Sequence, residues 1–200
     1  MTEVATLAEL EALYGAPGRA SLVKVADRIT PEYRAWIEAS PFCALATAGP
    51  EGLDVSPRGD RGHVATVLDE RAIAIPDRRG NNRLDTLRNL IADPRCALLF
   101  LIPGQGVTIR VNGAARVSVD PDLLARFETE GQRPRSLLIV TVREVYFQCA
   151  RAVMRSGLWE AESPPDLPSL GSILAALSDG TEGGADYDAG APERARRTLW

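Results

Sequence analysis

The chain has 200 residues, 45% hydrophobic and 25% charged, which suits one globular domain with a real core and excludes an intrinsically disordered chain. Its net charge of −4, from 23 basic and 27 acidic residues, argues against a surface built to neutralise nucleic-acid phosphates, so any positive site must be local. A single histidine, His63, excludes a His-pair metal centre, and the three widely spaced cysteines, Cys43, Cys96 and Cys149, read as small buried hydrophobes in a reducing cytosol.

The first residues, 1–13, carry acids and no basic region ahead of an apolar run, unlike a secretory signal. Thr6-Leu7-Ala8-Glu9 forms a capping box, and Leu7, Leu10 and Leu13 follow at helical spacing, predicting a short helix that ends near Gly15. Thr30-Pro31-Glu32 repeats the start signal and leads through Tyr33, Trp36 and Ile37 to a stop before Ser40-Pro41. The period then changes to that of strands. Segments 42–48 and 53–56 flank the turn cluster Gly49-Pro50-Glu51-Gly52, and 64–68 and 72–75 flank Asp69-Glu70-Arg71, so two hairpins are expected.

Asn81 or Asn82 is placed to cap a helix carrying Leu84, Leu87 and Ile91 on one face, which Asp93-Pro94 terminates. Segments 95–102, 106–119 and 137–149 complete a set of about six β segments, the spacing of an all-β barrel or sandwich. Along 106–119, Val107, Ile109 and Val111 alternate with Thr108, Arg110 and Asn112, which leaves one polar face able to meet a ligand. A short helix is expected within 121–129, crossing between the last two strands. If 150–159 is helical, Arg151, Arg155 and Trp159 share a face; the alternative to a ligand role there is a cation–π stack closing the barrel.

Beyond Trp159 the composition shifts to Pro, Gly, Ser and Asp, which divides the chain into a domain over 1–160 and a tail over 161–200 with one helical turn around 173–177. The longest apolar run, 96–102, is far short of the ~20 residues that span a bilayer. No membrane or nucleic-acid partner is expected, and the reading is a cytoplasmic protein.

Most motifs that carry chemistry are absent: there is no P-loop, no GxGxxG after a strand, no GxSxG and no HExxH. Arginines instead cluster at two strand ends, in Ser56-Pro57-Arg58-Gly59-Asp60-Arg61-Gly62 and in Pro76-Asp77-Arg78-Arg79-Gly80-Asn81-Asn82-Arg83. The second cluster runs into a helix N-terminus, where unpaired N–H groups and the helix dipole favour an anion that guanidinium forks can grip. The competing reading is that these arginines are solvated and pair with Asp54, Asp60, Asp77 and Asp85 nearby. His63 has no serine or cysteine context and reads as a loop or barrel-rim residue rather than a base.

The order of hairpin, SPRGD loop, hairpin, Arg/Asn-rich helix start and Asp-Pro-Arg-Cys-Ala-Leu-Leu-Phe, covering roughly 32–159, resembles the pyridoxamine 5′-phosphate oxidase-like FMN-binding split-barrel superfamily. Within it the chain is similar to the pyridoxamine phosphate oxidase-related, flavin-nucleotide-binding group; DVSPRGD, RGNNRLDTLRNL, RSGLW and the closing ERARRTLW carry the likeness. The resemblance implies a mainly β fold, a six-stranded antiparallel split β-barrel with flanking short helices, assembled as a homodimer with FMN at the subunit interface. It assigns the flavin phosphate to Arg58, Asn82 and Arg83, with Ser56 and Asn81 as neighbours. It sets Ile75, Pro76 and Asp77 beside the isoalloxazine ring and Arg78 at its edge. Arg155 and Trp159 join from the C-terminal segment.

Pyridoxamine phosphate oxidases proper carry a Tyr-Thr pair where this chain has Pro76-Asp77, a Ser-Arg-Lys where it has Asn81-Asn82-Arg83, and a glutamine where it has Thr108. These departures bear on the substrate more than on FMN. The expected function is a flavin-dependent oxidoreductase acting on an unspecified small molecule, with no side-chain base required. The alternatives are a non-catalytic flavin-binding or storage module, a deazaflavin in place of FMN, and a haem protein using His63.

Overall fold

A computed structural model of the chain describes residues 3–160 and 165–199. Three helices lead in: α1 (Leu7–Tyr14), α2 (Arg19–Val23) and α3 (Pro31–Glu38). The capping box of α1 is complete, with Glu9 N–H donating to Thr6 Oγ1 and the Glu9 carboxylate receiving the Thr6 N–H. The α3 cap is Thr30 with Pro31 at the first position, and both helices end where the sequence predicts. Helix α2 carries none of these signals and is not expected from sequence.

Each of the seven segments named above as a strand is one: β1 (Phe42–Gly49), β2 (Gly52–Gly59), β3 (Thr66–Asp69), β4 (Ala72–Asp77), β5 (Arg95–Leu101), β6 (Thr108–Ser118) and β7 (Ser136–Gln148). They form one antiparallel sheet in the order β2-β1-β5-β6-β7-β4-β3, the split barrel with flanking short helices, with seven strands rather than six. Pro76 fits β4 because β3 has already ended there, its Thr66 pairing with Ala74, so the missing N–H leaves no ladder bond unmade. Between Asn112 and Gly113 the β6–β7 register shifts, and a Cβ at Gly113 would collide with the Thr141 carbonyl.

The core lies between the sheet and the helices α3 and α4 (Asp85–Ala92), with Ile37, Leu45, Ile73, Phe100, Ile109 and Val140 buried in it. A second cluster, Ala74, Leu137 and Ile139, packs under Leu123, Leu124 and Phe127 from α5 (Pro121–Ala125) and the turn after it. Residues 137–140 of β7 therefore face apolar surroundings on alternate sides, which is why they read as a continuous apolar run.

Three helix expectations are corrected. The N-cap of α4 is Leu84 in the left-handed region, with no side-chain cap, so neither Asn81 nor Asn82 caps it. Its buried face is Thr86, Asn89 and Leu90, whereas Leu84 and Ile91 are exposed. Helix α6 (Arg151–Ser156) stops at Gly157 in a left-handed turn, which takes Trp159 off the face shared by Arg151 and Arg155. In the tail the single turn expected is a full helix, α7 (Leu170–Leu177), packed against α8 (Gly184–Arg197). The proposed boundary after residue 160 abuts 161–164, and Trp200 closes the ERARRTLW motif; both lie outside the described residues.

Candidate functional site

The two arginine clusters meet at the seam between β2 and β4. On β2, Asp54, Ser56 and Arg58 alternate with the exposed Leu53, Val55 and Pro57, and they share the side on which Thr47, Leu45 and Cys43 of β1 are buried. Arg58 reaches across the seam, its Nη1 donating to Asp77 Oδ1 at 2.6 Å, with the two side chains only 16% and 18% exposed. Arg58 Nε donates to Ser56 Oγ at 3.2 Å. Ser56 Oγ lies 3.0 Å from Thr86 Oγ1, and Thr86 donates to Asp54 Oδ2 at 2.6 Å, which ties β2 to the first turn of α4. Asn89 adds a second tie, its amide donating to Thr47 Oγ1 at 3.2 Å in space left by Gly49, where a Cβ would strike the Asn89 side chain.

The segment from β4 into α4 is less enclosed. Arg83 is 74% exposed at its side chain and pairs with Asp85 at 2.8 Å. The Asn81 carbonyl oxygen accepts from the Arg83 N–H at 3.1 Å, an Asx turn, and Asn82 accepts from Arg135 at 3.5 Å while its own φ is 58°. Arg78 is a brace: it donates to Asp60, to the Phe127 carbonyl and to Thr129, each at 2.9 Å, joining the end of β4 to the loop after β2 and to the turn after α5. Three of the pairings that compete with a ligand role are thus made, Arg58–Asp77, Arg78–Asp60 and Arg83–Asp85, whereas Asp54 takes a threonine instead.

Residues 77–79 and 132–135 line a cleft of about 150 Å³ at the seam. Arg79 and Arg135 face it and, among the described residues, neither enters an ion pair. Arg79 belongs to the second of the two sequence clusters, without a role of its own there; Arg135 was not singled out, although Arg133-Pro134-Arg135 immediately before a strand is the same kind of signal. A neighbouring cleft of about 180 Å³ runs between 60–66 and 126–129, shares Arg78 and carries the exposed His63, which is indeed a loop residue. Ile75 and Pro76 are buried in β4, so what they offer a ligand is backbone.

The remaining predicted residues lie elsewhere. Thr108 pairs with Gln148, ten positions along β7 from Leu138, the partner of Ile75; at 3.3 Å per residue that is about 30 Å of strand. Thr108 also lies on the opposite side of β6 from the core residues Ile109 and Val111, three strands away from β2. The polar face of β6 is confirmed at Arg110, which is exposed, and at Asn112, whose amide donates to Glu144 at 3.0 Å; Thr108 itself is buried. Trp159 joins this distal region, its indole N–H donating to the Gln105 carbonyl at 2.7 Å, and Arg155 is exposed on α6.

The three cysteines divide between the two regions. Cys43, the cross-strand partner of Arg58, is buried and its thiol is pushed up to about 12 by desolvation, and Cys96 likewise to about 11. Cys149 corrects the expectation of burial. It is exposed beside α6, and its pKa is lowered, first by a hydrogen bond from the Arg151 N–H and then by the Arg151 and Lys24 charges.

Residues 29–149, more than half of the chain, match the family model described as pyridoxamine 5′-phosphate oxidase. Among solved structures, the HupZ protein of Group A Streptococcus aligns with 60% of this chain and 99% of its own at 14% identity and a TM-score of 0.50, a likeness of fold. An FMN-binding protein of Syntrophomonas wolfei aligns with 57% of this chain and 82% of its own, at 14% identity and a TM-score of 0.44. No curated protein matches the chain.

Proposed function

Because the chain belongs to the pyridoxamine 5′-phosphate oxidase family, we propose that it is an FMN-binding oxidoreductase acting on a small molecule, with the flavin held between two copies. The observation that carries this reading is the seam, where Arg58 is paired with Asp77 of the cleft that Arg79 and Arg135 line, beside the turn that leads into α4. Three guanidinium groups, two of them outside any ion pair among the described residues, suit a phosphate monoester. Asp77 and Asp85 hold Arg58 and Arg83 in place at the cost of some positive charge. Among the described residues the outer edge of β4 has no partner strand beyond Ala74, which leaves backbone groups of 75–77 for the polar edge of a flavin ring.

Two observations favour a second copy. A cleft of about 150 Å³ falls below the roughly 300–1,000 Å³ of small-molecule sites, so one subunit supplies only part of the enclosure. The outer face of β2, β1 and β5 is apolar and open, with Leu53 87% and Val55 68% exposed beside Phe42 and Leu99, the kind of patch a partner covers. A partner brings Arg155 and Trp159, which lie far from the seam of their own subunit, to the other side of the ring, whereas Thr108 is buried and is not offered to it.

A bound FMN supplies hydride or electron transfer, and the residues here bind it, orient it and regulate access of solvent. Three cysteines outside any disulfide fit a cytoplasmic setting. The test is the visible spectrum of the purified protein, with the chromophore released by heat and identified by chromatography, followed by sedimentation. About one FMN per subunit in a dimer supports the reading, and turnover with a nicotinamide donor or oxygen separates an enzyme from a flavin store. A colourless chain that fails to quench added FMN fluorescence overturns it. A haem spectrum lost in His63→Ala would replace it with the haem reading.

A further inference from the structure

The hydrogen bonds behind Arg58 form a chain with only one possible direction. Arginine Nε can only donate, so Ser56 Oγ is an acceptor toward it; the Ser56 proton is then given to Thr86 Oγ1, and the Thr86 proton to Asp54 Oδ2. The chain ends on a carboxylate, which only accepts. We propose that Thr86 and Asp54 are positioning residues that hold Arg58 for a phosphate monoester, an inference that rests on the flavin reading.

Two consequences distinguish this from a generic surface network. With its proton committed to Thr86, Ser56 cannot also donate to a phosphate, so it belongs to the support of the site rather than to the contact with ligand. Arg58, fixed at Nε by Ser56 and at Nη1 by Asp77, keeps the donors of Nη2 for an anion in a defined orientation. Thr86 is buried and is the second residue of α4, so the same hydroxyl locks the helix that follows Asn82 and Arg83 onto the strand bearing Arg58. The two halves of the anion site are thereby held in one frame, the supporting shell that a preorganised site needs.

The test measures dissociation constants for FMN and for riboflavin, which lacks the phosphate, by fluorescence quenching on the full chain. Thr86→Val, close in shape but without the hydroxyl, is expected to weaken FMN about tenfold, the equivalent of one lost hydrogen bond, while riboflavin affinity stays unchanged. Thr86→Ser restores the hydroxyl and is expected to restore FMN affinity. Equal weakening of both flavins, or an unaltered FMN constant, overturns the proposal. The parent reading fails differently: wild-type protein binds no FMN, or Arg58→Ala binds it as wild type does. Thermal melts of each variant identify misfolding, and Thr86→Ser carries the comparison if Thr86→Val is poorly folded: a serine variant with weakened FMN binding then counts against the proposal.

Discussion

The seam and the distal region were both marked by polar side chains on strands, yet they are built differently. At the seam, Arg58, Ser56, Thr86, Asp54 and Asp77 are mutually bonded and largely withdrawn from solvent, and the neighbouring thiol of Cys43 is pushed up to about 12. At the distal region, Arg155 and Cys149 are exposed, and Trp159 is held by one bond to a loop carbonyl. A preorganised group is fixed by its own subunit, whereas groups left open gain a role only from what is brought to them. The comparison therefore predicts that the seam governs affinity for the phosphate and that assembly governs the rest.

The strongest way to break it is Val55→Asp on the exposed apolar face. A charge there is expected to yield a folded monomer by sedimentation whose FMN binding falls below detection; a monomer that still binds FMN would show that the seam suffices alone. Arg58→Ala comes next. Losing a charge-assisted bond worth about 1.5–3 kcal/mol is expected to weaken FMN ten- to a hundredfold. It also leaves Asp77 mostly enclosed without its partner, lowering stability by about 1–3 kcal/mol in urea titrations. Arg83→Ala removes a solvent-exposed group already paired with Asp85, so the loss expected in the same titration is only about fivefold.

The smallest effect sharpens the contrast through the thiols. Because the Cys149 pKa is lowered, its thiolate is present at a lower pH than that of an ordinary thiol, whose pKa is about 8.5. Iodoacetamide labelling read by mass spectrometry is expected to rise with pH earlier at Cys149 in the native protein than at the same cysteine in the unfolded chain. Cys43 and Cys96, with thiols at about 12 and about 11, stay unlabelled until the protein is unfolded. Labelling of Cys43 in the native protein at pH 8 would contradict the closed seam.

Local signals were legible where one residue decides the geometry. Thr6, Thr30 and Pro31 start helices, Pro50 and Gly52 turn β1 into β2, and Pro94 ends α4, because each acts through its own backbone or the N–H groups within a few residues of it. The left-handed start of α4 was not legible. Leu84 at φ 63° is unfavourable by itself, and Thr86 and Asn89 are buried because Asp54, Ser56 and Thr47 on two strands wait for them. An apolar-face rule therefore chose Leu84, Leu87 and Ile91, of which Leu87 packs against the core and the other two lie in solvent.

Alternation, turn residues and caps act over short spans, so the strands, the two hairpins and the two arginine-bearing strand ends are readable in the residues, whereas the antiparallel barrel followed from the family resemblance. Folding settles that Arg58 is enclosed with Asp77 while Arg83, paired with Asp85, stays exposed, that Arg79 and Arg135 share a cleft, and that Thr108 and Trp159 turn away from Arg58. The reason is that the closure of β2 against β4 joins residues 19 positions apart, Arg58 and Asp77, across a seam no ladder spans. Contacts of that kind depend on the shear of the whole sheet rather than on any window of residues.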